Sequence, residues 1–228
     1  MEKLRFSRRQ WLGLAVGGTA FVACSALSSS LMAQEDKFVL QCPSSTPSIS
    51  APSYPGASKI ILSNNLARPT GKAEDAPGQL VYLTGRIVDQ DCTPVTNAIV
   101  DLWQPNPVGQ YRWASRDELL TPYPIFAGNG RAVTDNMGRY RFTTLFPGGY
   151  GRNAPQIHLR VSHPEFPTLT TSLYMRGDRR NGADPRFQAI NPGSRNKLLA
   201  DVNTRMENPA LDVIFDVTLH GRSTYRDY

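Results

Sequence analysis

Cysteine and histidine are scarce in this chain, which contains three of each in 228 residues. Cys24 lies in the N-terminal segment, so only Cys42 and Cys92 remain for the rest of the chain. Two cysteines are too few to hold a metal cluster. In an oxidising compartment they can form a disulfide, but the sequence leaves this open, because it does not show whether their Cα atoms approach within about 7 Å.

Charged residues are also few, at 19% against the roughly 25% typical of globular domains. The net charge is +6, but four of the 25 basic and one of the 19 acidic residues lie within residues 1–33, which leaves a balance of +3. No dense stripe of Lys and Arg occurs in the remainder. Because phosphate-driven affinity requires many clustered cations, we expect no nucleic-acid partner.

A long apolar run is missing as well, even near the N-terminus. Residues 11–27 contain three glycines and are only weakly apolar, whereas a permanent transmembrane helix needs about 20 strongly apolar residues. The sequence SRRQWL at residues 7–12 is similar to a twin-arginine export signal. Residues 1–33 are therefore predicted to be an export signal, and the protein is expected to be periplasmic or in an equivalent extracytoplasmic space.

Two ways of processing this segment remain open. Cleavage can follow Ala33, or Cys24 can be lipidated, since residues 21–24 loosely resemble a lipobox. We expect the soluble form, because Phe21 is unusual at its place in such a motif. Contact with a membrane is expected only if Cys24 carries a lipid.

Glycine and proline, in contrast, are plentiful at 18 each, and short strand patterns recur along the chain. Residues 34–77 are rich in Ser, Pro and Ala and are predicted to form an N-terminal arm. Strand patterns follow over residues 80–88, 98–103, 131–135, 139–143, 156–162, 169–175 and 211–219. Residues 78–228 are therefore predicted to form a mostly β domain, an antiparallel β-sandwich with short helices and long loops.

Two local features of this domain can be predicted more closely. We interpret residues 131–143 as a hairpin that turns at Gly138, because glycine supplies the positive φ that such turns require. One or two short helices are expected within residues 184–206, for example at 197–202.

One predicted strand carries polar side chains on a single face. Residues two apart on a strand share a face, so Gln156, His158 and Arg160 point one way. The apolar residues between them point to the core. Tyr150 ends a Pro-Gly-Gly turn that can return its phenol over the polar face. Taken alone, such a tyrosine or histidine is more often an ordinary packing residue.

Seven short motifs occur in a fixed order: DLWQ (101–104), GQYR (109–112), GRAVTD (130–135), PGGY (147–150), IHL (157–159), LYMRGD (173–178) and FDVTLHG (215–221). The series resembles the catalytic domain of the intradiol ring-cleaving dioxygenases, particularly those acting on protocatechuate or catechol, over roughly residues 78–228. The resemblance implies cleavage of a catechol-type aromatic diol by O2 at non-haem Fe(III), with the diol and O2 as partners. Family members often associate, so a homo-oligomer is an option.

The resemblance also implies a set of iron ligands. In the family, two tyrosines and two histidines hold ferric iron, and the matching positions here are Tyr111, Tyr150, Gln156 and His158. The resemblance makes Tyr150 the tyrosinate that leaves the iron and accepts a proton, and Tyr111 the permanent anionic ligand. Gln156 replaces the first histidine of the family's His-x-His pair. Its amide can ligate through oxygen or hold a water on the iron.

Other positions depart from the family pattern as well. The family has a catalytic arginine a few residues before the first histidine. Gap-free counting reaches Asn153, and we expect the neighbouring Arg152 to take that role. Ser172 stands where the family has glutamine. These departures leave a second hypothesis open, namely an exported β-sandwich that binds phenolic ligands with a degraded or absent metal site.

Overall fold

The structure is a computed structural model that describes residues 42, 44–51, 54–112, 123, 125–204 and 209–223. The export signal predicted for residues 1–33 lies outside these residues, as do Cys24 and Ala33. Along the part of the chain that is described, no helix is both long enough and apolar enough to span a membrane.

Strands make up most of the regular structure in the described residues. They are β1 (Leu80–Val88), β2 (Ile99–Trp103), β3 (Asn129–Val133), β4 (Arg139–Leu145), β5 (Gln156–His163), β6 (Phe166–Met175), β7 (Leu199–Thr204), β8 (Leu211–Ile214) and β9 (Val217–Thr218). The helices are short: α1 (Pro185–Ala189), α2 (Pro192–Arg195) and single 3₁₀ turns at Ala57–Lys59, Arg179–Gly182 and Asn196–Leu198. The prediction of a mostly β domain with short helices is confirmed.

The strands pair in one continuous path, in the order β3-β2-β5-β6-β7-β8-β1-β4, with β9 joined to β1. The expected antiparallel pairing holds throughout β3-β2-β5-β6 and for the pairs β7-β8 and β1-β4. Parallel pairing occurs where β6 meets β7 and where β1 meets β8 and β9. Leu83 of β1, Val100 of β2 and Leu159 of β5 are fully buried in one shared core, so both halves of the path enclose the same apolar interior.

The prediction of a hairpin at residues 131–143 is wrong, although the predicted turn is present. Gly138 has a φ of 69° and donates its N–H to the carbonyl of Asp135. However, β3 pairs with β2 and β4 pairs with β1, at opposite ends of the path. Thr134 accounts for the divergence, because its hydroxyl donates to the carbonyl of Val95 and accepts the N–H of Ala98. The chain leaving β3 is thereby held beside the segment that leads into β2.

Two other local predictions need correction. The short helices expected within residues 184–206 are present as α1 and α2. Residues 197–202, the example given, instead form a 3₁₀ turn followed by β7, because backbone pairing with β6 and β8 takes up this segment. The strand expected at 211–219 is broken into β8 and β9. Asp216 lies at the break, where its carboxylate accepts the N–H of Arg86 at 2.7 Å.

The N-terminal arm packs into the domain. Leu66 and Ala67 are fully buried in the core. The N–H of Arg131 in β3 donates to the carbonyl of Ser63, and the N–H of Leu66 donates to the carbonyl of Thr143 in β4. The arm therefore bonds to both strands that end the pairing path.

The two cysteines that the sequence left open form a disulfide. The Cα atoms of Cys42 and Cys92 are 5.2 Å apart, and the two residues are 50 positions apart in sequence. The bond ties the start of the arm to the turn that follows β1.

We expect Cys92→Ser to lower the free energy of unfolding by about 2–4 kcal/mol, since the disulfide closes a long loop in the unfolded chain. Urea unfolding with and without a reductant measures this effect. The reductant should destabilise the wild-type protein and leave the variant unchanged. A reductant effect of equal size on both proteins would contradict the expectation.

Candidate metal centre

Polar and apolar side chains alternate along β5 as predicted, and the face that carries the polar side chains is also buried. Ile157 and Leu159 enter the core, while Gln156 and His158 lie on the other face, 1% and 0% exposed. The ring of Trp103, from the paired strand β2, lies 5.3 Å from the imidazole of His158. This histidine is therefore shielded from water on a face that the sequence pattern alone indicates as polar.

Tyr111 follows β2 on a loop that Asn106 organises. The side-chain oxygen of Asn106 accepts the N–H groups of Val108 and Gln110, each at 3.0 Å. Its backbone N–H donates to the carbonyl of Gln110 at 2.8 Å. One asparagine thus fixes the turn that immediately precedes the Tyr111 phenol.

Tyr150 follows β4 on a second loop whose backbone touches the first. A Cβ atom on Gly109 would lie 2.4 Å from the carbonyl oxygen of Gly149. A Cβ atom on Gly148 would lie 2.3 Å from the carbonyl oxygen of Pro107. Only residues without a Cβ allow this approach, so the glycines of the two motifs bring the two tyrosines together.

The phenol of Tyr111 meets the imidazole of His158 directly. Tyr111 Oη lies 2.6 Å from His158 Nε2, and His158 Nδ1 lies 2.6 Å from the hydroxyl of Ser172. The rings of Tyr111 and Tyr150 are 5.7 Å apart in an edge-on arrangement. The structure therefore brings Tyr111, Tyr150 and His158 together from two loops and one strand, and their role as metal ligands stays a prediction.

The protonation states follow from burial. Desolvation, and secondarily the Tyr150 phenol, raise the pKa of Tyr111 above its ordinary value of 10. Desolvation, followed by the charge of Arg186, lowers the pKa of His158 to about 3. Without a metal, Tyr111 is thus a neutral phenol that donates to Nε2 of a neutral imidazole. Nδ1 then carries the imidazole proton and donates it to Ser172. A cation bound at Tyr111 and His158 would replace the shared proton.

Arg186 supplies the positive charge at this site. Its Nη1 donates to Tyr150 Oη at 3.1 Å. The guanidinium is exposed, but its backbone is fixed at the start of α1, where the buried carboxylate of Asp184 accepts the N–H groups of Arg186 and Phe187. The other Asp184 oxygen accepts the N–H of Ala154 at 2.7 Å. This carboxylate therefore ties the helix that carries Arg186 to the approach of β5.

Arg152, which the sequence assigned to catalysis, lies exposed on the turn after Tyr150. Its catalytic role stays a prediction. The Asp-Pro pair at residues 184–185 is a helix-start signal readable in the sequence. That signal predicts a short helix, but it does not indicate that the helix lies against Tyr150, so Arg186 was missed.

Gln156 brings an unpaired polar group to the site. Its buried Nε2 has no hydrogen-bond partner among the described residues, and neither has the buried hydroxyl of Tyr174. In the same part of the chain, no cluster of three or more His, Cys, Asp or Glu side chains is placed to hold a metal. The donors around His158 are phenols and an amide, which are hard ligands suited to a trivalent cation.

We expect Gly148→Ala to reduce metal binding at this site by about tenfold, because the added methyl group would force the Tyr150 loop away from Pro107. Metal content after dialysis measures the loss. Gly182→Ala is the matched control, since a Cβ there meets nothing within 4 Å. Equal metal content in the two variants would show that metal binding does not depend on the close contact between Gly148 and Pro107.

The buried His158 should make the metal-free protein sensitive to acid. Its pKa is 6.5 as an ordinary side chain and about 3 in the fold, so between these values the unfolded chain binds a proton that the folded chain does not. The stability that His158 contributes above pH 6.5 is therefore lost as the pH falls toward 3, at up to about 1.4 kcal/mol per pH unit.

Urea unfolding of chelator-treated protein at pH 7, 6, 5 and 4 tests this dependence. His158→Gln should flatten the slope, whereas the exposed His220 in a His220→Gln control should leave it unchanged. Parallel slopes in all three proteins would contradict a buried neutral imidazole.

Comparison with known proteins agrees with this geometry. A family model described as "Dioxygenase" matches residues 49–221. The chain is 32% identical over 182 residues to the protocatechuate 3,4-dioxygenase beta chain of Burkholderia cepacia, covering 75% of this chain and 77% of that one. It is 30% identical over 120 residues to catechol 1,2-dioxygenase 2 of Acinetobacter lwoffii, and this match covers 45% of this chain and 42% of that protein.

Solved structures agree with this result. The dioxygenase domain of a dioxygenase carbohydrate-binding protein fusion from Streptomyces sp. SirexAA-E superposes with a TM-score of 0.62 at 26% identity. The match covers 77% of this chain and 98% of that domain. With a family match over most of its length, the two tyrosines and the histidine in contact, and this fold, the chain belongs to the intradiol ring-cleavage dioxygenase family.

Proposed function

We propose that this protein cleaves a catechol-type aromatic diol with O2, using non-haem Fe(III). The observation that carries the proposal is the direct contact between Tyr111 Oη and His158 Nε2, with the Tyr150 ring beside it. A buried phenol paired with a buried neutral imidazole is an arrangement in which one cation can take the place of one proton.

Tyr111, Tyr150 and His158 are the residues that would hold the iron, with Gln156 at the fourth position. Anionic phenolate oxygens prefer Fe(III) to softer ions. Gln156 is uncharged, and so is the neutral histidine that the family has at this position. The replacement therefore keeps the net charge of the family's ligand set. When bound, ferric iron supplies the Lewis acidity that keeps the phenolates ionised at neutral pH and prepares the diol for reaction with O2.

Tyr150 is the residue we assign to proton transfer. Its phenol is partly exposed, whereas that of Tyr111 is 7% exposed, so Tyr150 has the freedom to move that Tyr111 lacks. Tyr150 Oη would accept a proton from a diol hydroxyl. Arg186 donates to the same oxygen and would stabilise it while it is ionised. Arg152, on the neighbouring turn, remains a second candidate cation.

His158, Ser172 and Trp103 keep the other side of the site fixed. The hydrogen bond from Nδ1 to Ser172 directs the free electron pair of Nε2 toward the Tyr111 oxygen. Trp103 is fully buried against the imidazole and excludes water from it. Ser172, which departs from the family's glutamine, thereby gains a role in orienting the imidazole.

The overall reaction is balanced without a further reductant. The bond between the two hydroxyl-bearing carbons breaks, and both atoms of O2 enter the ring-opened dicarboxylate product. The enzyme therefore needs only the diol, O2 and a site that handles one or two protons.

We also propose that the protein acts outside the cytoplasm. The twin-arginine sequence at residues 7–12 supports this, and so does the disulfide between Cys42 and Cys92, because disulfides persist mainly in oxidising compartments. Cell fractionation of the wild-type protein and an Arg8→Lys, Arg9→Lys variant tests it. Retention of only the variant in the cytoplasm is the expected result, and equal distribution would count against export.

Protein purified with iron should be burgundy to red, and Tyr111→Phe should bleach this colour because it removes an anionic ligand. Visible absorbance at matched iron content measures the change. Tyr82→Phe, which alters a tyrosine of β1 outside the site, serves as the control. Unchanged absorbance in Tyr111→Phe would remove this residue from the ligand set.

Oxygen uptake with catechol, protocatechuate and hydroxyquinol tests the reaction itself. Stoichiometric uptake with at least one diol, together with loss of the aromatic absorbance, supports ring cleavage. Colourless protein that holds no iron and consumes no O2 would overturn the proposal.

A further inference from the structure

Two buried hydrogen-bond donors at the site lack an acceptor. Gln156 Nε2 and Tyr174 Oη are without partners among the described residues, and the side chains are 1% and 0% exposed. The two residues are direct cross-strand neighbours on β5 and β6, so both side chains lie on the face that carries His158. Buried donors of this kind are rarely left unpaired in native proteins.

The groups around Tyr174 do not satisfy its hydroxyl. Its ring packs 4.8 Å from the ring of Phe187 in α1, which is apolar. Asp184 is the nearby carboxylate, but its oxygens already accept the N–H groups of Ala154, Arg186 and Phe187. The Tyr174 hydroxyl has no acceptor among the described residues, which points to an acceptor on a bound molecule.

The charge at the site indicates what that acceptor is. Arg186 donates to Tyr150 and its charge also acts on Tyr174, while its guanidinium has no salt bridge to a described carboxylate. Two neutral donors beside a guanidinium favour an oxygen that carries negative charge, because hydrogen bonds to an ionised acceptor are the stronger ones.

We propose that Gln156 and Tyr174 form a two-donor pocket that binds one ionised oxygen of the aromatic diol. The inference rests on the proposed function, because the other diol oxygen would face Tyr111 and His158. It assigns the unpartnered Nε2 of Gln156 to substrate binding and leaves the side-chain oxygen of this residue for the fourth metal position. Tyr174 becomes a substrate-binding residue that the family resemblance does not indicate.

Binding of 4-nitrocatechol tests the pocket, because its ionised form absorbs at longer wavelength than its neutral form. The probe is titrated into the full chain, as purified and after iron is removed by chelation. The wild-type protein should bind the ionised form, and Tyr174→Phe and Gln156→Leu should each raise the Kd about tenfold, even without iron. An unchanged Kd and an unchanged bound spectrum in both variants would overturn the proposal.

Tyr140→Phe is the matched control, since Tyr140 is also buried but its hydroxyl donates to the carbonyl of Phe215 at 2.6 Å. It should lower the thermal midpoint of the ligand-free protein and leave the Kd for 4-nitrocatechol unchanged. Tyr174→Phe should keep or raise that midpoint, because it removes a hydroxyl without a partner. A fall in midpoint equal to that of Tyr140→Phe would show that the Tyr174 hydroxyl has a structural partner instead.

The pocket and the proposed enzyme can fail separately. If the wild-type protein consumes no O2 and holds no iron, yet both variants weaken 4-nitrocatechol binding, the pocket stands and the dioxygenase activity is discarded. If the wild-type protein is active and both variants bind the probe as tightly as it does, the pocket alone is discarded.

Discussion

The site depends on the backbone contact between two loops that contain glycine. Gly109 and Gly148 allow the chain after β2 and the chain after β4 to touch, at distances that a Cβ atom would prevent. These strands are not neighbours in the pairing order, so no backbone ladder brings Tyr111 and Tyr150 together. The absence of two side chains therefore sets the separation of the two phenols. The same loop that makes this approach also carries Tyr111, whose phenol meets His158.

The site that results has one fixed side and one adjustable side. Tyr111 and His158 are buried and bonded to each other, and Ser172 holds the far nitrogen of the imidazole. Tyr150 is more exposed, and its oxygen is held by a guanidinium on a short helix. This asymmetry suits a reaction in which one phenolate stays in place while the other exchanges with a diol. It arises because His158 is buried on β5 beside Trp103, whereas the phenol of Tyr150 lies on a loop and is held by Arg186 at the start of α1.

Periodicity and turn signals predict the features that depend on neighbouring residues. The limits of β1 and the alternation of Ile157 with His158 could be read directly, because each depends on local burial. The prediction of a hairpin at Gly138 was wrong because only the turn depends on neighbouring residues. The pairing of β3 depends instead on hydrogen bonds between Thr134 and a segment nearly 40 residues earlier. Arg186 and Tyr174 were missed for a similar reason. Their sequence neighbours indicate a helix start and a strand, but only the folded chain places them beside Tyr150 and Gln156.

The arm forms hydrogen bonds with both β3 and β4, and these bonds limit the association of the protein with other copies of itself through strand edges. Each of these strands ends the pairing path, and an uncovered strand edge is a template for another chain. Ser63 and Leu66 occupy backbone groups on these two edges. The segment rich in Ser, Pro and Ala thus acts as an internal edge cover. A chain shortened to begin at β1 would keep every ligand of the candidate centre and yet expose two strands to open-ended self-association.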